Sequence, residues 1–390
     1  MNIIQVHNYY QVPGGEDSVV EDERALLTSR GHRVTQFTRH NDDVGNLSSL
    51  RLAARTIWSR SAARELEKLV RQENAEIVHF HNTMPLISPS AYYAAHRGGA
   101  AVVQTLHNYR LLCPKGTFFR EGKICEECAG KSVAWPSVRH ACYRDSRAGS
   151  AVLTVMGATH RLIRTYGRRV DAYIAASEFT REKMLENGLP EDRMHVKPNF
   201  VVKDPGVGSG EGGYALYLGR LSPEKGVDTL IAAWDRMDHA VPLKIVGSGP
   251  MQKQAEELAH RHEHVQYLGW VGQPELGEVI RQAAVLVLPS VNYEGFPKVI
   301  PEAYGSGLPI VASRLGSMQY AVLEGETGLL FEHGNADDLS IKITSLIQDS
   351  DLLASMRLAA RSQYELRYTA DVNYKQLIHI FERALSRRTQ

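Results

Sequence analysis

Short apolar runs recur along the chain, separated by stretches whose hydrophobic positions repeat every three to four residues. The runs NIIQVHN, VTQFTR, EIVHFHN, AVVQTLHN, AYIAASE and MHVKPNFV read as strands. Amphipathic helical segments lie between most of them, so the order is βαβ. Right-handed crossovers of this kind predict a mostly parallel sheet with helices on both faces. Residues 202–215, VKDPGVGSGEGGYA, are rich in glycine and read as a linker. The same pattern then restarts with YALYLGRL, LKIVGSG, VQYLGWV, AVLVLPS, PIVASR and GLLFEH. The expectation is an α/β chain of two doubly wound, Rossmann-like domains, residues 1–202 and 203–370, facing across a cleft. A last helix, residues 371–390, is expected to pack back on the first domain. A length of 390 residues suits two cores better than one.

Composition excludes several classes. Hydrophobic content of 43 % with 23 % charged residues fits a globular protein rather than a disordered or fibrous one. The opening MNIIQVHNYY carries no basic leader or apolar signal region, and no run reaches the length of a membrane span, so the expected location is cytoplasmic. The net charge of +1 hides a division: residues 1–200 hold 27 Lys+Arg against 21 Asp+Glu, whereas residues 201–390 hold 18 against 23. Two basic runs supply much of the excess in the first half, one with Arg51, Arg55, Arg60, Arg64, Lys68 and Arg71, the other with Arg161, Arg164, Arg168 and Arg169. They suit either an anionic lipid surface at the inner face of a membrane or a solvated basic face.

Ligands of doubly wound sheets bind beyond the carboxyl ends of the strands, so the loops there carry the candidate chemistry. Gly14 and Gly15 precede a helix, which suits close approach of backbone to a phosphate or sugar, or simply a tight turn. Arg220 and Lys225 flank a Ser-Pro turn at a helix start. Two cations there repel the helix dipole unless an anion joins them, and a diphosphate would serve. Gly247 and Gly249 mark a second point of close approach, and the main chain around Trp270 and Val271 could pair with a base edge. In NYEGFPKVIPEAYGSGLP, Glu294 stands in a post-strand loop and Glu302 in the following helix. Carboxylates accept paired hydrogen bonds from vicinal hydroxyls, and backbone N–H groups near Phe296, Lys298 and Val299 suit a phosphate between them.

All four cysteines, Cys113, Cys125, Cys128 and Cys142, fall within residues 113–142. The spacing C-x11-C-x2-C-x13-C is compatible with structural zinc, with four reduced thiols in a lid, or with two disulfides in an oxidising compartment. Four thiolates would close the coordination shell, which excludes a catalytic zinc.

The combination of PGGEDSVVEDERALLTSRGHRV, SEFTREKMLENGLPEDRMHVKPN, LGRLSPEKG, EGFPKVIPEAYGSGLPIVASRLGS and GETGLLF resembles the retaining glycosyltransferases of family 4, which have the GT-B architecture. The E-x7-E element from Glu294 to Glu302, followed by the strand entry GSGLPIVAS, is a specific signal. The resemblance implies that Arg220 and Lys225 hold the diphosphate of a UDP- or GDP-sugar, Glu302 the ribose and Glu294 the hydroxyls of the transferred sugar. It places Gly15 near the phosphate and acceptor, and His107 near the reacting carbon. It implies hexosyl transfer to a glycan, such as a lipid-linked saccharide, by front-face substitution without a catalytic metal. One departure is Pro297, where the family commonly has glycine; proline removes an N–H and fixes φ. A nucleotide-sugar epimerase of the same architecture is the first alternative. A zinc-bearing nucleic-acid-binding module is the second, opposed by the acidic second half.

Overall fold

The first six runs, each bounded by polar or turn residues, form one parallel sheet whose inner strands are buried on both faces and whose edge strands are only partly covered. Its strands are β1 (Asn2–Tyr9), β2 (Arg33–His40), β3 (Ile77–Phe80), β4 (Ala101–Leu106), β7 (Ala172–Ala175) and β8 (Met194–Val196). A two-stranded antiparallel hairpin, β5 (Phe119–Arg120) and β6 (Lys123–Ile124), interrupts the series. The sheet runs β2-β1-β3-β4-β7-β8 in space, with all its pairs parallel. The computed structural model describes residues 1–12, 14–237 and 241–388.

The second six runs form another parallel sheet of β9 (Ala215–Leu218), β10 (Leu243–Val246), β11 (Val265–Gly269), β12 (Val285–Leu288), β13 (Ile310–Ser313) and β14 (Gly328–Phe331). Its spatial order is β11-β10-β9-β12-β13-β14. The order reverses at β9, whose neighbours are β10 and β12, so this sheet has a crevice beyond the carboxyl ends of β9 and β12. Its core gathers Tyr217, Leu230, Trp234, Ile245, Val287 and Phe331, all almost fully buried. In the first sheet the order reverses between β1 and β3.

The chain divides into two units, one of residues 1–118, 125–198 and 373–390, the other of residues 119–124 and 199–372. The sequence put the division after residue 202. It falls earlier because Val201 bridges Thr369 and donates its N–H to the Tyr368 carbonyl at 3.3 Å, which ties residues 199–202 to the second unit. The helix Ala370–Arg388 supplies Leu377, Ile380, Phe381 and Ala384 to the core of the first sheet, against Ile3, Ile77, Val103 and Ile174.

The cysteine segment is ordered by more than its own small core. Phe118 is wholly buried, with its ring 5.2 Å from that of Tyr109, and Ser137 bonds Thr154 of the helix Arg147–Leu162 at 2.9 Å. The sequence offered no sign of this anchoring beyond two adjacent phenylalanines.

Candidate functional site

In the second unit the loops after β9, β10 and β12 interlock. Gly226 adopts φ +72°, and a Cβ there would lie 1.8 Å from the Pro289 carbonyl oxygen. Gly247 (φ +135°) packs on the Gly219 carbonyl in the same way, and Gly249 (φ +157°) on that of Leu221. The amide of Gly247 donates to the Gly269 carbonyl at 2.8 Å. The close approach expected at Gly247 is therefore met by the chain's own backbone, whatever ligand also comes near.

This interlock brings two predicted residues together. Lys225 Nζ lies 2.7 Å from Glu294 Oε1, and Ser290 Oγ donates to the same oxygen at 2.9 Å. Asn292, with its amide nitrogen facing the acceptors, donates to Glu294 Oε1 at 3.1 Å and to the Glu224 carbonyl at 2.9 Å. Val291 N–H also reaches that carbonyl at 3.0 Å. The anion that two cations at this turn call for is thus supplied to Lys225 by the chain's own Glu294. Arg220 is exposed on the same loop, and Tyr217 Oη donates to its carbonyl at 2.8 Å.

Lys298 caps the helix Val299–Gly305, and Glu302 lies half-buried in its first turn. Phe296 is buried against Tyr368, with ring centroids 5.6 Å apart, and its carbonyl accepts from Asn199 Nδ2 at 2.6 Å. The Pro297 carbonyl accepts the N–H of Ile300 at 3.1 Å. Val271 follows β11 next to Trp270, which is 78 % exposed. Asn199, Ser290, Asn292 and Glu224 were not singled out by sequence reasoning, because each acts by fixing a loop rather than by a recognisable motif.

In the first unit, Gly15 opens the helix Gly15–Ser29, and a Cβ on Gly14 or Gly15 would meet nothing within 4 Å. The capping contact is Gly14 N–H to Asp17 Oδ2 at 2.9 Å. Beside them Tyr10 Oη donates to Glu16 Oε2 at 3.0 Å, and burial raises the Glu16 carboxyl above its usual range against the pull of His7 and Arg110. His107 follows β4. Its Nε2 lies 2.9 Å from His81 Nδ1, and the two rings stack. Burial, then His7, His79 and Lys197, hold its imidazole well below the ordinary histidine range, so it is neutral. A cavity beyond β3 and β4 is lined by polar side chains, His107, Asn108 and Arg110 among them, and by apolar ones, including Met84, Leu111 and Met156.

Cys113 and Cys128 are buried, Cys125 and Cys142 half-buried, and none of the four is in a disulfide. Burial, then the charge of Cys113, pushes the Cys128 thiol up to about 11. Among the described residues, the metal-type donors that gather within 4.8 Å of one another are Glu23, His79 and His81, a group without a cysteine.

Comparison with known proteins agrees with this layout. The family description "Glycosyltransferase Family 4" matches residues 13–204, and "Glycosyl transferases group 1" matches residues 212–349. A phosphatidyl-myo-inositol mannosyltransferase of Mycolicibacterium smegmatis is 24 % identical over 96 % of this chain and 91 % of its own. An uncharacterised glycosyltransferase of Methanocaldococcus jannaschii is 32 % identical over 47 % of this chain, a match that spans about half (51 %) of that relative. Among solved structures, Anabaena HepE in complex with UDP superposes with a TM-score of 0.70 at 17 % identity, covering 98 % of this chain and 100 % of that one. With the two descriptions matched in series over most of its length, and with two parallel Rossmann-like sheets, the chain belongs to glycosyltransferase family 4 and has the GT-B fold.

Proposed function

We propose that the chain transfers a hexose from a UDP- or GDP-sugar to a glycan acceptor with retention of anomeric configuration. The observation that carries the reading is the Lys225–Glu294 pair, held at 2.7 Å by the two loops that flank the reversal point of the second sheet. A cation for a diphosphate and a carboxylate for sugar hydroxyls stand side by side where such sheets bind ligands. Similarity to a mannosyltransferase and to a UDP-binding structure supports the donor class.

In this reading Lys225 and Arg220 grip the diphosphate, with backbone N–H groups at Lys298 and Val299 beside them. Glu302 takes the ribose, and the main chain near Val271 and Gly247 takes the base. Glu294 orients the sugar by its hydroxyls. As the glycosidic bond to the diphosphate breaks, the acceptor oxygen attacks the same face and its proton passes to the departing diphosphate. Lys225 and Arg220 stabilise the charge that develops there. Gly15 and His107 serve the acceptor side and the reacting carbon. The mixed polar and apolar lining of the cavity beside His107 supports an amphipathic acceptor such as a lipid-linked saccharide.

The test is a panel of nucleotide sugars incubated without acceptor, with the released sugar followed by NMR. The expected result is slow hydrolysis of one or a few donors with release of the anomer present in the donor. Release of the opposite anomer would overturn retention. Conversion of the donor to its epimer with no sugar released would establish the epimerase instead.

A further inference from the structure

Under the first sheet lies a group of buried polar side chains that the reaction, as described, does not use. Gln5 and His7 alternate on β1, and His79 and His81 lie at the same period on and just after β3; Gln5 and His79 are register partners. Glu23 joins them from the helix Gly15–Ser29, and Lys197 from the chain just after β8. Each of these residues is at most 4 % exposed. Such burial is costly unless every group has a defined partner.

The partners set where the protons sit. Lys197 Nζ bonds Glu23 Oε1 at 2.8 Å, which neutralises the carboxylate. Glu23 Oε2 has no hydrogen-bond partner and stands 3.5 Å from His79 Nδ1 and 3.6 Å from His81 Nε2. These three atoms have the spacing of a metal site, but a divalent ion added to the Lys197–Glu23 pair would leave two uncompensated charges in the core. Gln5 is held by two hydrogen bonds: its Oε1 accepts from Gln36 at 3.3 Å and its Nε2 donates to the Val20 carbonyl at 2.9 Å. The same amide nitrogen faces His81 Nε2 at 3.4 Å. A donor facing Nε2 requires a lone pair there, so the His81 proton sits on Nδ1. Glu23 Oε2 favours the opposite tautomer, but it lies beyond hydrogen-bond reach and Lys197 balances its charge.

We propose that His81 is a positioning residue that donates from Nδ1 to His107 Nε2, fixing His107 as the Nδ1–H tautomer and hence as a hydrogen-bond donor rather than a proton acceptor. The relevance to transfer rests on the role given to His107 above. His81 is the group stacked on the His107 ring, and the charges that act on its imidazole are those of His7, His79 and Lys197, each of which disfavours a second proton there. With Nε2 occupied and the ring neutral, Nδ1–H is the atom left to meet an oxygen of the substrate.

The test is 15N NMR of histidine-labelled protein without ligand, between about pH 5.5 and 8. The expected spectrum shows His107 with Nδ1 protonated, Nε2 bare, and no titration across the range. A protonated Nε2, or titration near pH 6.5, would overturn the proposal in the wild-type protein, with no variant needed. His81→Phe should release His107 to the other tautomer and lower kcat about tenfold or more with little change in donor KM. His81→Asn, whose amide can place a donor at the Nδ1 position, should restore most of it. Equal losses in both variants, with the His107 tautomer unmoved, would assign His81 a packing role only. Should His107→Ala turn over normally, the catalytic reading of His107 fails while the tautomer measurement still stands.

Discussion

Lys225 and Glu294 are 69 residues apart in sequence and meet at 2.7 Å because the loops that carry them leave adjacent strands of one sheet. The two side chains are therefore one unit before any substrate arrives. Lys225→Ala and Glu294→Ala should each lower transfer at least about a hundredfold, on the order of 3 kcal/mol of transition-state stabilisation. The double variant should lose clearly less than the product of the two, because each single change also strands its partner. Steady-state kcat/KM for the three variants measures this coupling. Additive losses would mean that the pair parts before the reacting state forms.

The glycines of the two units should respond differently to alanine. Gly226→Ala puts a Cβ 1.8 Å from the Pro289 carbonyl at φ +72°, so it should cost about 2 kcal/mol or more of stability and disturb the Lys225 loop. Gly15→Ala meets open space and lacks a positive φ, so its melting temperature should stay within about 2 °C of wild type. A loss of turnover in Gly15→Ala at unchanged stability would then report ligand approach at that backbone. Thermal unfolding alongside activity separates the two cases.

Most strands were readable because a doubly buried parallel strand is a short, nearly continuous apolar run, whereas the edge strands β2, β8 and β11 are only partly buried and carry polar residues. Lys225 and Glu294 were readable as loop residues, yet their mutual contact was not, since it depends on Gly226 packing against Pro289. The buried Glu23–Lys197 pair was also invisible. A glutamate in an amphipathic helix and a lysine after a strand look like surface residues until the register of the sheet carries both inward. The histidines at positions 79 and 81 did carry a signal, alternating within an apolar run where polar groups must find buried partners.

Those histidines make stability depend on pH. Burial lowers His79 to about 4, against the pull of Glu23, and lowers His81 well below its ordinary value. The unfolded chain therefore binds more protons than the folded one below about pH 6.5. Their contribution is fully present above that pH and is lost as pH falls through 6 and 5. Each histidine adds a slope of at most about 1.4 kcal/mol per pH unit. Denaturant unfolding at pH 7.5, 6 and 5 should show the decline, and His79→Gln should flatten it. A slope unchanged by that substitution would refute the assignment.

Zinc at Cys113, Cys125, Cys128 and Cys142 is a proposal drawn from their spacing and from their common place in one segment. Protein purified without chelator should carry about one zinc per chain, and four thiols should become reactive only after chelation. Four reactive thiols in metal-free protein of unchanged stability would instead assign them to packing. The donor site should be indifferent to either result, so nucleotide affinity measured in parallel should not change with chelation.

The two basic runs of the first half divide once folded. Arg161 donates from Nη2 to the Leu111 carbonyl at 2.9 Å, and Arg169 covers the Tyr93 ring at 4.9 Å, so these two are occupied within the unit. Arg51, Arg55 and Arg164 are exposed, close in sequence to Leu50 and Leu162, which are 85 % and 84 % exposed. The helices that carry most of them, Ser49–Ile57 and Arg147–Leu162, pack on each other. Apolar side chains flanked by exposed arginines suit the interface of an anionic bilayer, where each near-surface cation adds about 1 kcal/mol. No described helix is long and apolar enough to cross a membrane, so this contact would be peripheral. The protein should sediment with vesicles containing phosphatidylglycerol but not with phosphatidylcholine alone, and binding should weaken as salt rises. Leu50→Glu and Arg55→Glu should each reduce it at unchanged melting temperature. Equal binding by all forms would make the basic run a solvated face.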